Sequence, residues 1–90
     1  MRPKFHPDVI KQDLPKIDER IRSQLFDAIE HRLMEGSPTY GKPLRKSLKG
    51  CRRIRMGDYR IVYKIVDPDI LLIVAIRHRR EVYEFAEMRV

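Results

Sequence analysis

The sequence predicts an α+β fold in which an N-terminal helical hairpin packs on one face of a small antiparallel β-sheet. Over residues 17–33, apolar side chains recur every three or four positions, which is the period of an amphipathic helix. Over residues 51–66, basic and apolar side chains alternate, which is the period of a strand. A length of 90 residues leaves room for one core, so residues 1–90 are expected to form a single domain.

The first half of the chain predicts the helical layer. An amphipathic stretch over residues 8–14 is expected to end near Pro15. A second helix is predicted from a stripe of apolar side chains: Ile17, Ile21, Leu25, Ala28, Ile29 and Leu33. Asp18 stands where the helix dipole favours an acid, and Gly36 marks the end of the helix. Residues 2–6 are expected to form a short edge strand.

The middle of the chain predicts a connection and then a β-hairpin. Residues 37–50 are rich in Gly, Pro and Lys and are expected to be a loop held to the core by Leu44 and Leu48. Strands are predicted over residues 51–56 and 59–66. Gly57 and Asp58 form the two-residue turn between them, whose type the residue order leaves open. Tyr59 and Tyr63 are expected on the core face.

The remaining residues predict a last strand and a short helix. Residues 67–69 (Asp-Pro-Asp) are expected to turn the chain. The apolar run over residues 70–76 is typical of a strand that is covered on both faces. Residues 77–80 (Arg-His-Arg-Arg) are expected to leave the sheet, and residues 82–88 are expected to form a final helical turn.

The positive charge of the chain is confined to its second half. Twenty Lys and Arg residues against thirteen Asp and Glu residues give a net charge of +7. Residues 1–41 are neutral overall, so the whole excess lies in residues 42–90. A charge that served only solubility would have no reason to avoid the first half. The segregation therefore predicts a polyanionic partner, either a nucleic acid or an acidic protein.

Three arginines are predicted to share the sheet face that the helices leave open: Arg53, Arg55 and Arg60. The planar guanidinium fork donates two parallel hydrogen bonds to a phosphate and keeps its charge at physiological pH. With one of Arg79 or Arg80, these side chains form a candidate phosphate-binding cluster.

Tyr83 and His78 lie close to the basic end of the last predicted strand. A phenol among guanidinium groups has its ionised form favoured and can act as a general base. The Tyr83 ring could equally stack on an unpaired base or anchor the C-terminus to the sheet. His78 could assist proton transfer or be an ordinary surface residue.

Several other classes of function lack support in the sequence. The three histidines and Cys51 do not share a metal-ligand spacing, so neither a metal nor a cofactor is expected. A lone cysteine cannot form an internal disulfide and fits a reducing compartment. Without a signal segment or a run long enough to cross a membrane, a cytoplasmic location is expected. A metal-free cationic site suits the cleavage of RNA, whose 2′-hydroxyl is a built-in nucleophile.

Two blocks of the sequence resemble the RelE/ParE superfamily of bacterial type II toxins. They are LKGCRRIRMGDYRIVYKI (48–65) and RHRREVYE (77–84), and the similarity extends over nearly the whole chain. The resemblance implies one toxin domain with a helical hairpin on a small sheet. RelE-type members are ribosome-dependent endoribonucleases that cut mRNA in the ribosomal A site, whereas ParE-type members inhibit DNA gyrase.

The resemblance also assigns roles to individual residues. The catalytic residues it implies are Arg53, Arg55, Arg60, Arg79 (or Arg80 in its place) and Tyr83. Further basic side chains are expected to bind RNA phosphates: Lys46, Lys49, Arg52, Arg80 and His78. Well-known RelE enzymes carry lysines at the positions of Arg53 and Arg55, and arginine is a poor proton donor or base. Proton transfer therefore falls to Tyr83, His78 or the ribosome, and a low rate is expected.

The resemblance implies partners as well. Members of the superfamily are held inactive by an acidic, partly disordered antitoxin, which connects the toxin to operator DNA. The retained arginines and terminal tyrosine favour a metal-independent mRNA endoribonuclease that inhibits translation, with the ribosome and mRNA as targets. The alternatives are a DNA gyrase inhibitor without nuclease activity and an inert relative that binds only its antitoxin and operator DNA.

Overall fold

A computed structural model describes residues 1–66 and 69–90 and shows a five-stranded sheet flanked by helices. The strands are β1 (Arg2–Phe5), β2 (Lys42–Pro43), β3 (Cys51–Met56), β4 (Tyr59–Val66) and β5 (Ile70–His78). Their order across the sheet is β1-β5-β4-β3-β2. All neighbours are antiparallel except β1, which pairs parallel to β5 at one edge. The α+β prediction and the predicted edge strand are confirmed. The turn predicted at residues 67–69 lies partly outside the described residues.

The helical hairpin has two arms that are only partly α-helical. The first arm consists of a π-helical turn (Val9–Asp13) and a 3-10 turn (Leu14–Lys16). The second arm consists of α1 (Glu19–Ala28) and a π-helical turn (Ile29–Met34). The Asp18 carboxylate caps α1 by accepting a hydrogen bond of 3.2 Å from the backbone N–H of Arg20. The first arm passes through Pro15 because proline is tolerated in the first turn of a helical segment, where its missing N–H has no role.

The hairpin packs on one face of the sheet and forms the hairpin-side core. Its sheet residues follow the predicted alternation along β3 and β4, with Ile54, Ile61 and Tyr63 buried and Tyr59 partly buried. The helical arms contribute buried side chains that include Val9, Ile17, Leu25, Ala28, Ile29 and Leu33. The expected core position of both tyrosines is confirmed.

The opposite face of the sheet holds a second, smaller core, the α2-side core. Helix α2 (Val82–Arg89) buries Val82 and Ala86, which lie one turn apart on the same helix face. They pack with Leu48, Cys51, Val62, Val74 and Ala75. The apolar run of β5 is therefore covered on both faces, as its composition predicted. No helix in the described ranges has the length and apolar character needed to cross a bilayer.

One sequence expectation about β5 is wrong. Arg77 and His78 were expected to leave the sheet, but β5 continues to His78 and buries Arg77 to 8% exposure. The guanidinium of Arg77 contacts the carboxylates of Asp13 at 2.9 Å and Glu81 at 2.8 Å. It also lies 3.7 Å from the centre of the Phe85 ring. Burial alone would lower the pKa of Arg77, but its hydrogen bonds to the two carboxylates raise it.

Asp13 connects three parts of the chain at the edge of β5. Its buried carboxylate accepts hydrogen bonds from the backbone N–H of Ile76 at 2.9 Å and from Nη1 of Arg89 at 2.7 Å, besides that from Arg77. The first helical arm, β5 and α2 are thereby held together by one side chain. The sequence did carry a signal for this contact. Asp13 lies four residues from both Val9 and Ile17, on an otherwise apolar helix face.

The backbone geometry determines the type of the turn between β3 and β4. Gly57 has φ +60° while Asp58 keeps a negative φ, and Met56 pairs with Tyr59 across the turn. A positive φ at only the first central residue defines a type II′ turn, whose twist suits a hairpin.

Replacing Gly57 with alanine is expected to lower the free energy of unfolding by about 1–2 kcal/mol. No atom lies within 4 Å of an added Cβ, so the cost arises from the positive φ and not from a clash. Urea titration followed by circular dichroism would measure the change. Asp58→Ala is the matched control, because its negative φ suits alanine, and it should stay within about 0.5 kcal/mol of the parent. Equal stability of the Gly57→Ala variant and the parent would contradict the strained turn.

Candidate functional site

The three arginines predicted to share a sheet face do share it, but the expectation that helices leave this face open is wrong, because α2 packs on it. Arg53 and Arg55 alternate along β3 with Ile54, which belongs to the hairpin-side core, so their side chains lie on the α2 side. Arg60 is the direct cross-strand partner of Arg55. The hairpin register therefore brings the three guanidinium groups to one face, beside α2.

Arg60 is held in place by backbone carbonyl groups. Its side chain is 8% exposed, and Nη1 donates hydrogen bonds to the carbonyl oxygens of Gly57 at 3.0 Å and Tyr59 at 2.9 Å. In the described part of the chain, no buried side-chain nitrogen or oxygen lacks a partner. Nε and Nη2 of Arg60 make no hydrogen bond to a described residue and are therefore not fully buried, so they can donate to a phosphate. Arg60 is a pre-oriented anion donor.

The charge of this face is only partly compensated. Arg55, Arg60 and Arg77 are successive cross-strand neighbours on β3, β4 and β5, an arrangement in which like charges repel. Arg77 is neutralised by its two carboxylates. Within residues 1–66 and 69–90, Arg53, Arg55 and Arg60 form no salt bridge with a carboxylate. Their uncompensated charge favours an anionic ligand.

Arg79 lies at the same end of the sheet as the pair formed by Arg55 and Arg60. Its backbone N–H donates a hydrogen bond of 2.7 Å to the carbonyl oxygen of Asp58 in the type II′ turn, and its side chain is exposed. Arg80 is also exposed, and its backbone N–H donates to Nδ1 of His78 at 3.3 Å. The tether at the turn favours Arg79 as the fourth member of the cluster.

Tyr83 lies in the first turn of α2, on the same side of the sheet as the arginines. Its ring is half-buried and packs against the α2-side core, as the partly buried side chains of Leu44 and Leu72 also do. Its hydroxyl makes no hydrogen bond to a described residue, and it is not fully buried, since no buried side-chain oxygen in the described ranges lacks a partner. The anchoring role and the functional role therefore do not exclude each other, since the ring packs while the hydroxyl is available.

Two residues predicted to bind RNA lie on the other side of the sheet. His78 shares the face of Ile76, and its ring contacts that of Tyr59 edge-on at 6.3 Å. Arg52 lies opposite Tyr63 and donates from Nη1 to the carbonyl oxygens of Thr39 and Gly41. Both positions follow from strand alternation, which places them away from Arg53 and Arg60. Tyr83 therefore shares the face of the arginine cluster and His78 does not, which favours Tyr83 for proton transfer.

Lys46 begins a 3-10 turn (Lys46–Leu48) that packs beside α2, and Lys49 follows it. Both side chains are exposed. They extend the positive surface on the α2 side. Lys46 has φ +55°, a left-handed backbone that is uncommon for a residue other than glycine. Among the described residues, no three His, Cys, Asp or Glu side chains come together in a way that could hold a metal ion.

The structure adds basic and aromatic residues that sequence reasoning missed. Arg32, Tyr40 and Lys42 line a cavity of about 400 Å³ with Arg53 and Arg55 at the edge of β3. The signal was an aromatic residue two positions before a lysine, in a loop rich in Gly and Pro. Arg32 carried no such signal because it comes from the helical hairpin, 23 residues before Arg55.

Comparison with known proteins confirms the superfamily resemblance. Residues 4–83 match the family described as the ParE toxin of the type II toxin–antitoxin system parDE. The chain is 38% identical to Toxin RelE of Mycobacterium tuberculosis over 56 residues, or 62% of this chain and 58% of that protein. This match therefore spans less than two thirds of that relative.

Two further comparisons cover most of the chain. Identity to Toxin RelG of Mycobacterium tuberculosis is 32% over 74 residues, covering 81% of this chain and 85% of that protein. The fold is similar to a chain in the crystal structure of the RelBE2 toxin–antitoxin complex from the same organism. That similarity has a TM-score of 0.70 at 28% identity and covers 87% of this chain and 96% of the other.

Proposed function

We propose that this chain, which belongs to the ParE toxin family of type II toxin–antitoxin systems, is a RelE-like, metal-independent endoribonuclease that cuts mRNA on the ribosome. The observation that carries the proposal is the placement of Arg53, Arg55, Arg60 and Tyr83 on one sheet face. The three guanidinium groups lack a carboxylate partner among the described residues. Such a cluster fits a phosphate, and a tyrosine on the same face adds a group that can exchange a proton.

The proposed reaction uses the RNA's own nucleophile. The 2′-oxygen attacks the adjacent phosphorus, a bond forms between them, and the bond from phosphorus to the 5′-oxygen breaks. The products are a 2′,3′-cyclic phosphate and a 5′-hydroxyl. The 2′-hydroxyl proton passes to the Tyr83 oxygen, which hands its own hydroxyl proton on to water, and water or a ribosomal group gives a proton to the 5′-oxygen.

The arginines have a separate task from proton transfer. Negative charge grows on the phosphate oxygens as the 2′-oxygen attacks, and donors that are already oriented stabilise it most. Arg60 meets that condition because two backbone carbonyls fix its guanidinium. Arg53, Arg55 and Arg79 are more exposed and are assigned to binding and alignment of the strand.

The proposed partner of the resting toxin is an acidic antitoxin. The related RelBE2 structure is a toxin–antitoxin complex. In this chain, all of the excess positive charge lies in residues 42–90, so an acidic segment would have a complementary surface there. Binding of this kind weakens with rising salt concentration.

The test is cleavage of a defined mRNA by the purified protein with and without ribosomes. We expect cuts only when the mRNA is being translated, and we expect them to persist at chelator concentrations that leave ribosomes intact. The fragments should carry a cyclic phosphate at one end and a free 5′-hydroxyl at the other. Intact mRNA on translating ribosomes would overturn the proposal.

The second candidate function is inhibition of DNA gyrase without nuclease activity. The ParE designation of the matching family is the observation that keeps it in consideration. A parallel assay with purified gyrase separates the two functions. Accumulation of gyrase-cleaved DNA, with mRNA left intact, would decide for this candidate.

A further inference from the structure

A basic cavity opens at the edge of β3, where its neighbour β2 ends. Strand β2 pairs with Arg52 and Arg53, and among the described residues no strand pairs with the rest of β3 on that side. Arg32 from the helical hairpin reaches this edge and donates a hydrogen bond to the carbonyl oxygen of Arg55. The resulting cavity has a volume of about 400 Å³, within the range of small-ligand sites.

The loop that forms one wall of the cavity is tightly anchored. The buried Tyr63 hydroxyl accepts a hydrogen bond from the Gly41 N–H at 2.9 Å and donates one to the Pro38 carbonyl at 2.7 Å. Burial raises the pKa of Tyr63, so the phenol stays protonated and can donate. A Cβ at Gly41 would lie 2.5 Å from that hydroxyl, so only glycine fits this close approach.

Tyr40 lies between these anchored residues and yet is 63% exposed. Its backbone N–H is also bonded, to the Ser37 carbonyl at 2.9 Å. An exposed aromatic ring on an anchored backbone has few torsions to fix, so it loses little entropy when a flat ligand stacks on it. The fold thus holds a stacking platform at the mouth of the cavity.

The charged side chains around this ring are cationic. Arg32, Lys42, Arg53 and Arg55 line the cavity with Tyr40, Gly41 and Ile54, and no carboxylate of the described residues is part of the lining. Single-stranded nucleic acids are bound by this combination of cations that contact phosphates and aromatic rings that stack on bases. An acidic protein segment would satisfy the cations but would leave the ring without a matching partner.

We propose that this β3-edge cleft binds one nucleotide of single-stranded RNA, with its base stacked on Tyr40 and its phosphate held by Lys42 and Arg32. The choice of RNA rests on the proposed function, because Arg53 and Arg55 belong both to the cleft and to the predicted catalytic cluster. The cleft would then hold a nucleotide next to the cleaved linkage on the same strand. Binding here fixes the register of the RNA without taking part in bond cleavage.

The test is equilibrium binding of a short fluorescent 2′-O-methyl RNA, which cannot be cleaved because its nucleophile is blocked. Tyr40→Leu should weaken binding by about tenfold through the loss of stacking, whereas Tyr40→Phe should bind like the parent. Lys42→Ala should reduce the slope of log K against log salt by about 0.7, as expected for one lost phosphate contact. The charge-matched control is Lys11→Ala, an exposed lysine on the helical hairpin.

The outcomes separate this inference from the proposed function. Unchanged RNA affinity of Tyr40→Leu, in a protein that still cuts mRNA on ribosomes, would overturn the cleft and leave the nuclease standing. Weakened RNA binding by Tyr40→Leu, together with a parent protein that does not cut mRNA on ribosomes, would support the cleft and overturn the nuclease. If Tyr40→Leu lost affinity for an acidic antitoxin peptide but kept its affinity for RNA, the RNA site would be overturned in favour of a protein ligand. Thermal unfolding of each variant would verify that the exposed substitutions leave the fold intact.

Discussion

Replacement of Asp13 with alanine is expected to lower the free energy of unfolding by about 3–5 kcal/mol, the largest stability effect of any single substitution described for this chain. The carboxylate is fully buried and contacts two guanidinium groups, those of Arg77 and Arg89, which are 8% and 3% exposed. Without Asp13, the carboxylates left beside the two buried cations are the partly exposed ones of Glu81, 2.8 Å from Arg77, and Asp8, 3.8 Å from Arg89. Solvent screens both, so they compensate the buried charges less well than Asp13 does. The backbone N–H of Ile76 also loses its acceptor, which adds the cost of an unsatisfied buried donor.

Two controls distinguish the buried network from ordinary surface charge. Glu81→Ala removes the other carboxylate that contacts Arg77, but that carboxylate is 45% exposed, so we expect a loss of at most about 1 kcal/mol. A triple variant (Asp13→Leu, Arg77→Met, Arg89→Leu) replaces the network with apolar side chains and should recover much of the loss. Guanidinium chloride is a salt and would screen the charge effects, so urea is the denaturant of choice. A loss below about 1 kcal/mol for Asp13→Ala would refute the proposed role of the carboxylate.

Asp13 also illustrates which parts of the fold can be predicted from sequence. Local periodicity was sufficient for β3 and β4, because Ile54, Ile61 and Tyr63 are placed by simple alternation. It was insufficient for Arg77, whose carboxylate partner lies 64 residues away in the sequence. A basic residue at a strand end is typically exposed. Only a contact between distant segments buries this one. The two-residue strand β2 was missed for a related reason, since it is too short to show any period.

The candidate site was predictable to the extent that it depends on strand alternation. Arg53 and Arg55 lie two positions apart on β3, and the two-residue turn pairs Arg55 with Arg60, so all three side chains share a face. The same rule, applied to Arg52 and His78, would have placed both on the opposite face. Their basic character suggested that Arg52 and His78 bind RNA with the arginine cluster, but their strand positions put them on the other face. The β3-edge cleft lay beyond any local rule, because it combines a helix, a loop and a strand edge.

Arg60→Ala and Tyr83→Phe are each expected to reduce ribosome-dependent mRNA cleavage by about 10²-fold or more. Removal of one pre-oriented donor to a developing negative charge costs about 10²–10³ in rate. Loss of a general base costs about 10²–10⁴. Single-turnover cleavage on programmed ribosomes would measure both, because it isolates the chemical step from binding and product release. Tyr83→Phe keeps the ring that packs on the α2-side core, so its stability should remain close to that of the parent.

The controls for these two variants address charge and folding separately. Arg20→Ala removes an equal charge from an exposed position on the helical hairpin and should cut mRNA at the parental rate. Arg60 also bonds the type II′ turn, so Arg60→Ala changes the turn as well as the site. Gly57→Ala perturbs the same turn but keeps the guanidinium, and it should retain most of the cleavage rate. Loss in Arg60→Ala without loss in Gly57→Ala would assign the effect to the guanidinium. Parental rates in both Arg60→Ala and Tyr83→Phe would instead remove the catalytic cluster from this sheet face.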